Sequence, residues 1–269
     1  MEFDAERRFG GVDRLYGQGA VQALNQAHVM VAGIGGVGTW CVEALARSAI
    51  GELTLIDLDH IAESNINRQL HALSNTLGQS KTVAMAQRAQ QINPAVKVHC
   101  IDDFVDPDNI QALLASGPTV FVDCTDQVVA KIAIILHTKQ AQVPLVLCGG
   151  AGGKTDPLSL RSGDLSLAKH DALLNRIRSQ LRKQHGFARA SDAQGKALKR
   201  TPRMGVHALW FEQETRLPQA WSAGRDGSLQ GLACAGYGSG ITITASMGML
   251  AADRAINVVL RQAGVLPSA

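Results

Sequence analysis

A short apolar strand, His28-Val29-Met30-Val31-Ala32, runs straight into Gly33-Ile34-Gly35-Gly36-Val37-Gly38. From Val37 to Ala49 the apolar residues then recur at helical spacing. This strand, glycine loop and helix constrain the fold more than any other feature of the chain. Glycines at a strand-to-helix junction permit a tight turn and close approach of the backbone to a ligand. The free amides and the helix N-terminus are then suited to phosphate. A second strand, Leu53 to Ile56, closes on Asp57 and Asp59, where a ribose hydroxyl would find a carboxylate acceptor. Gly33, Gly35, Gly36, Gly38, Asp57 and Asp59 are therefore candidate nucleotide-binding residues.

The rest of the first two thirds alternates in the same way. Lys81 to Ile92 reads as a helix stopped at Asn93-Pro94, because the residue before proline disfavours the helical region. Val96 to Ile101, Val120 to Val122 and Pro144 to Cys148 read as strands, with a helix from Gln127 to Gln140. Beyond lie a strand at Leu158 to Arg161, a basic helix from Ala172 to His185, a polar linker from Ala188 to Pro202, a strand at Val206 to Phe211 and a terminal helix at Ile241 to Gln262. The fold class predicted is α/β: a Rossmann-like, mostly parallel sheet with helices on both faces, a basic C-terminal extension and a buried terminal helix. Residues 1–269 are expected to form one unit. Residues 1–150 would be its nucleotide-binding core and 151–269 the part that faces substrate and supports a dimer.

With 46% hydrophobic and only 18% charged residues, the chain is not a disordered one. Five cysteines, odd in number and without a Cys-x-x-Cys pair, argue against a zinc knuckle or a disulfide framework. Together with an opening that has no apolar run, they predict a reduced, cytoplasmic protein. Residues 227–252 carry no charge, long enough for a membrane span, yet glycines interrupt them and Asp253 and Arg254 follow. A buried core helix is the reading preferred, with no membrane. Residues 161–203 hold 11 Lys or Arg against 3 Asp, which leaves the remainder of this +3 chain net acidic. Such a block is either a solvated surface or the footprint of a polyanion.

The loop after Asp59 narrows the chemistry. It reads Ser64-Asn65-Ile66-Asn67-Arg68-Gln69, with Lys81 at the next helix start. Nicotinamide hydride transfer builds no phosphate charge and needs no such cations, whereas expulsion of pyrophosphate does. Arg68 or Lys81 alone would read as a surface salt bridge; together beside a phosphate loop they point to ATP as a reactant. Both are expected to be exposed in the empty site. Asp123-Cys124-Thr125-Asp126 ends the fourth strand, at the sheet edge where ligands of such folds bind. Asp126 is the candidate Mg²⁺ ligand. Asp123 is left as structural, for instance as a cap of the next helix, or as supporting.

Gly-x-Gly-Gly-x-Gly, Asp-x-Asp, Ser-Asn-x-x-Arg-Gln, Lys81 and Asp126, in that order, resemble the E1-like (ThiF/MoeB/HesA) adenylating superfamily. The resemblance implies that Asp57 holds ribose, that Asn65, Arg68 and Lys81, with Ser64 nearby, address the phosphates, and that Asp126 binds Mg²⁺. Arg68, Lys81 and Asp126 would be the catalytic residues. Gln127 stands where sulfur-carrier activators often have Asn. Within the superfamily the chain is most similar to the tRNA threonylcarbamoyladenosine dehydratases. The segments Arg8-Phe9-Gly10-Gly11, Asn67 to Leu73, Gln91-Ile92-Asn93-Pro94, Asp102 to Val105 and Gly149 to Gly153 carry that likeness. It implies an ATP-dependent cyclisation of the threonylcarbamoyl group on a tRNA base, a homodimer, and the basic segment as a tRNA contact. Na⁺ or K⁺ near Gly150 to Gly153 and a sulfur-relay partner are weighed with it. An N-terminal arginine of the wider superfamily corresponds to Gly11 here, leaving Arg7, Arg8 and Arg14 as substitutes. Cys234 is a conceivable thiol nucleophile, though a tethered cyclisation needs none. The alternatives are an activator of a ubiquitin-like or sulfur-carrier protein, which usually carries the missing Cys-x-x-Cys pairs, and an NAD-dependent oxidoreductase.

Overall fold

The computed structural model describes residues 3–192, 194–196, 198–218 and 234–267. Among the described residues seven strands form one sheet: β1 (His28–Ala32), β2 (Glu52–Ile56), β3 (Lys97–Ile101), β4 (Val120–Asp123), β5 (Leu145–Cys148), β6 (Leu160–Asp164) and β7 (His207–Phe211), in the order β3-β2-β1-β4-β5-β7-β6. All neighbouring pairs are parallel except β6 with β7, where Leu160 faces Phe211 and Asp164 faces His207. The strand expected at Leu158 starts two residues later because Asp156 caps a short 3-10 turn at Pro157–Ser159.

β1 and β4 are buried along their whole length, as expected of strands covered on both faces. The pleat divides them: Val29 and Val31 belong to one core, Met30 and Ala32 to the other. On the first face lie α2 (Ala20–Asn25), α3 (Gly38–Arg47), α4 (Lys81–Ile92) and α8 (Ile241–Gln262), supplying Leu24, Leu45, Met85 and Met247 to the core. On the second lie α5 (Ile110–Leu114), α6 (Val128–Gln140) and α7 (Ala172–Gln184). An N-terminal helix, α1 (Ala5–Tyr16), capped by the Asp4 side chain, was not legible in the apolar pattern, since only Phe9 of it is buried.

α8 is long and apolar enough to cross a membrane. Here it is a core helix: Ile243, Met247, Ala251, Ala255, Val259 and Leu260 are buried. Gly248 is its contact point with α3, because a Cβ there would strike the Val37 carbonyl oxygen and lie 2.8 Å from Trp40 Cβ. The basic helix α7 buries Leu174, Ile177 and Leu181, with Leu173 only half-buried. Of its four cations, Arg176, Arg178, Arg182 and Lys183, two are half-buried. Arg178 is half-buried and donates to the Ala168 carbonyl (2.6 Å) and to Asn175 Oδ1 (2.9 Å), while Nε and Nη2 of Arg182 are shielded from solvent. Arg176 and Lys183 remain exposed.

Candidate nucleotide site

The sheet order reverses between β1 and β4, and the loops leaving their carboxyl ends frame a crevice of the kind in which open α/β sheets bind ligands. Gly33 sits at φ +84°, and a Cβ there would approach the Cys124 carbonyl group to 2.8 Å, so only glycine fits. The loop's polar groups are held in place one by one. Gly33 N–H donates to the Ile56 carbonyl, and Ile34 N–H to Asp57 Oδ2 at 2.6 Å. The Ile34 carbonyl accepts from His71 Nε2 at 3.0 Å, and the Gly35 carbonyl from the Thr39 hydroxyl at 2.8 Å. The four amides that follow, Gly35 to Gly38, donate to no protein acceptor among the described residues. They lead into α3, whose N-cap Val37 has no capping side chain. Consecutive open amides at a helix start form an anion-binding concavity.

Asp57 is buried, and its second oxygen accepts from Asp59 N–H at 2.9 Å. Burial raises its pKa above the ordinary carboxylate range, against the pull of Lys81 and the two amides. Lys81 was expected to be exposed and is not: at 5% exposure it stands 2.6 Å from Asp59 Oδ2 and 3.9 Å from Asp57 Oδ1. The two carboxylates at the end of β2 supply the counter-charge that lets an ammonium be buried at the start of α4.

Ser64, Asn65 and Arg68 share one short turn. The Asn65 carboxamide oxygen accepts from Ala62 N–H, while Arg68 Nη1 donates to the Ser64 carbonyl and to Asn67 Oδ1, each at 2.8 Å. This turn is docked on the glycine loop: a Cβ on Gly36 would meet Arg68 Cγ at 3.4 Å and Thr244 Cγ2 at 2.9 Å. Trp40 Nε1 donates to the Arg68 carbonyl, and Asn67 to the Ser239 carbonyl at 2.7 Å. The glycine loop, Asp57, Asp59, Lys81 and the Arg68 turn are thus one contiguous assembly.

Asp126 is exposed beyond the end of β4, and no side-chain bond among the described residues ties it to that assembly. Asp123 caps no helix: its Oδ1 accepts from the Thr125 amide and hydroxyl and pairs with Lys131 at 3.0 Å, both side chains fully buried. It is structural. Beyond β5, Gly150 N–H donates to the buried Asp171, and Lys154 Nζ donates to the carbonyls of His170 and Gln213. Arg8 donates to the Ile92 carbonyl of its own chain, while Arg7 lies exposed. The side chain of Cys234 lies outside the described residues.

His71, Thr39 and Trp40 escaped the sequence reading as site residues. His71 lies in the Asn67 to Leu73 segment that carried the family likeness, yet nothing in its spacing marks a partner 37 positions away.

A family model described as the ThiF family matches residues 11–266. A tRNA threonylcarbamoyladenosine dehydratase of Haemophilus influenzae is 42% identical over 257 residues, covering 96% of this chain and 95% of that protein. The Escherichia coli protein of the same name is 37% identical, covering 96% and 95%. A crystal structure of the E. coli dehydratase, TcdA, in complex with ATP is similar to this chain with a TM-score of 0.84 and 35% identity, over 98% of both chains. Its AMP complex gives 0.83 and 36%, over 99% of both.

Proposed function

The chain belongs to the ThiF family, and from that premise we propose that it is an ATP-dependent tRNA threonylcarbamoyladenosine dehydratase. The observation that carries this reading is the run of four open amides, Gly35 to Gly38, against the Arg68 turn and beside buried Asp57. Its ligand is ATP, as in the crystal complex of the E. coli relative.

In the reaction proposed, the threonylcarbamoyl carboxylate attacks the α-phosphorus of ATP and pyrophosphate leaves. The neighbouring carbamoyl group then attacks the acyl-adenylate carbonyl, a ring closes and AMP departs, so one water is lost from the base at the expense of ATP. The second step is intramolecular, and its attacking group is tethered at high effective concentration. Asp57 spends one acceptor site on each of two amides and keeps lone pairs for the ribose hydroxyls. The glycine-loop amides hold the phosphates. Arg68 retains Nε and Nη2 as donors for the leaving pyrophosphate, and Lys81 exchanges part of its bond to Asp59 for a phosphate oxygen. Asn65 and Ser64 set that turn.

Asp126 offers one exposed carboxylate, which with phosphate oxygens and water is a donor set that suits Mg²⁺. Bound there, the ion would neutralise charge on the phosphates. A homodimer, a sulfur-relay partner, Na⁺ or K⁺ near Gly150 to Gly153 and a cytoplasmic location belong to the same proposal. So does the division into a nucleotide part, 1–150, and a tRNA-facing part, 151–269. Incubation with ATP, Mg²⁺ and tRNA bearing threonylcarbamoyladenosine tests it: mass spectrometry of the nucleoside should show loss of one water with stoichiometric AMP. An unchanged base beside pyrophosphate exchange that depends on a small carrier protein would replace this reading with the activator one.

A further inference from the structure

His71 is the one histidine buried against the glycine loop, at 3% exposure, and the reaction outlined above gives it no task. Its Nε2 lies 3.0 Å from the Ile34 carbonyl oxygen. A carbonyl only accepts, so Nε2 carries the proton and Nδ1 is bare. Nδ1 is itself buried with no hydrogen-bond partner among the described residues. Burial, with Lys81 nearby, pushes the imidazole pKa down to about 4, so the ring is neutral at physiological pH.

The Ile34 carbonyl and the Gly35 N–H belong to one peptide plane. No peptide bond among the described residues is cis, so the two groups point in opposite directions. Holding the carbonyl on the buried side therefore aims the Gly35 N–H, the first of the four open amides, away from His71 and into the crevice. The preceding plane is fixed by Asp57 through the Ile34 N–H, and the following carbonyl by Thr39. His71 supplies the remaining restraint. Without it, the flexibility of the adjoining glycines would let this plane rotate, and a flipped peptide would present a carbonyl oxygen to a phosphate.

We infer that His71 is a positioning residue for the phosphate site: its Nε2–H clamps the Ile34 carbonyl and so holds the Gly35 amide toward the nucleotide. The inference rests on the ATP-binding reading of the glycine loop and goes beyond it, because His71 touches no reacting atom.

The test compares His71→Leu, which fills the space without a donor, with His71→Gln, whose Nε2 can occupy nearly the same position. ATP affinity is measured by calorimetric titration, KM for ATP and kcat by AMP release, and folding by thermal melting. His71→Leu is expected to weaken ATP binding and raise its KM about tenfold, the equivalent of about 1.4 kcal/mol, while His71→Gln stays within about twofold of the parent. A histidine that only packed the core would lower the folded fraction, and with it kcat, at unchanged KM.

ATP affinity unchanged in a folded His71→Leu overturns the inference, as does a His71→Gln defect equal to that of Leu. Should His71→Leu fail to fold, nitrogen-15 spectra of the imidazoles in the parent protein decide. They should show His71 in the Nε2–H form and untitrated at pH 5.5. An Nδ1–H form, or titration near the ordinary value, overturns it. A parent that binds ATP but leaves threonylcarbamoyl-tRNA unchanged would sink the dehydratase reading alone, since the titration and the spectra still report on the clamp.

Discussion

Replacing Asp123 or Lys131 tests how far the end of β4 is structural and how far it is chemical. The two charges stand 3.0 Å apart with both side chains at 0% exposure. At that separation and an effective dielectric of about 20, their attraction is about 5 kcal/mol, set against several kcal/mol of lost hydration for each ion. The intact pair is therefore of modest net value, whereas one charge left without the other costs about 3–5 kcal/mol. Asp123→Asn retains an oxygen for the Thr125 amide and hydroxyl but strips the ammonium of its nearest carboxylate, leaving it the Asp123 carbonyl at 3.4 Å and the field of buried Asp171. Lys131→Met strands the carboxylate. Each single variant should lose about 3 kcal/mol in urea unfolding followed by circular dichroism. The double variant should lose far less than the sum, about 1 kcal/mol, with the denaturant slope unchanged. The double variant should also keep near-parental turnover, while Asp126→Asn, exposed and outside this pair, should keep parental stability and lose Mg²⁺-dependent activity. Single losses below about 1 kcal/mol, or strictly additive ones, would refute the buried-pair reasoning. A double variant that is stable but inactive would move the metal-binding role to Asp123.

Arg68→Ala should lower turnover by about a hundredfold in steady-state AMP release, as loss of charge stabilisation does elsewhere, with an unchanged melting curve. Lys81→Met should lower both turnover and stability, and the stability deficit should depend on pH. Lys81 pulls the raised Asp57 pKa downward, so removing it lifts that pKa further. A raised native pKa leaves stability intact below the unfolded value of about 3.9 and erodes it as pH climbs through the native value, so urea midpoints should diverge more at pH 8 than at pH 4.5. Reversing Arg176 and Lys183 to Glu should weaken tRNA binding and reduce the slope of log affinity against log salt by about 0.9 for each duplex phosphate no longer neutralised, with ATP affinity unchanged. An unaltered slope would assign the tRNA contact to another basic group. Gly248→Ala should destabilise the fold by about 1–3 kcal/mol in denaturant titrations, because the new methyl meets backbone atoms of α3 that cannot yield.

Features of local origin were legible in the sequence. The fully buried runs of β1 and β4, the helix from Lys81 to Ile92 and the glycine loop follow from short-range pattern, from proline after Asn93 and from a turn at Gly33 that no side chain tolerates. Asp57, Asp59, Arg68 and Lys81 could be selected because each lies next to such an element. What the tertiary structure alone decided is which groups meet. Lys81 is buried rather than exposed because two carboxylates at the end of β2 close on it. Asp123 finds Lys131 across the strand-to-helix turn, and Arg178 turns back to the carbonyls before its own helix. Gly248, which read as an interruption of an apolar span, is where the backbone of α8 packs directly on α3 with no room for a Cβ. His71 reaches Ile34, and Asn67 reaches Ser239, across 37 and 172 positions of chain. Periodicity specifies which face of an element is buried, but not the neighbour that face will have. A hydrogen bond or ion pair confined to a few ångströms is fixed only once the sheet order and the packing of α3, α4 and α8 have brought distant segments together.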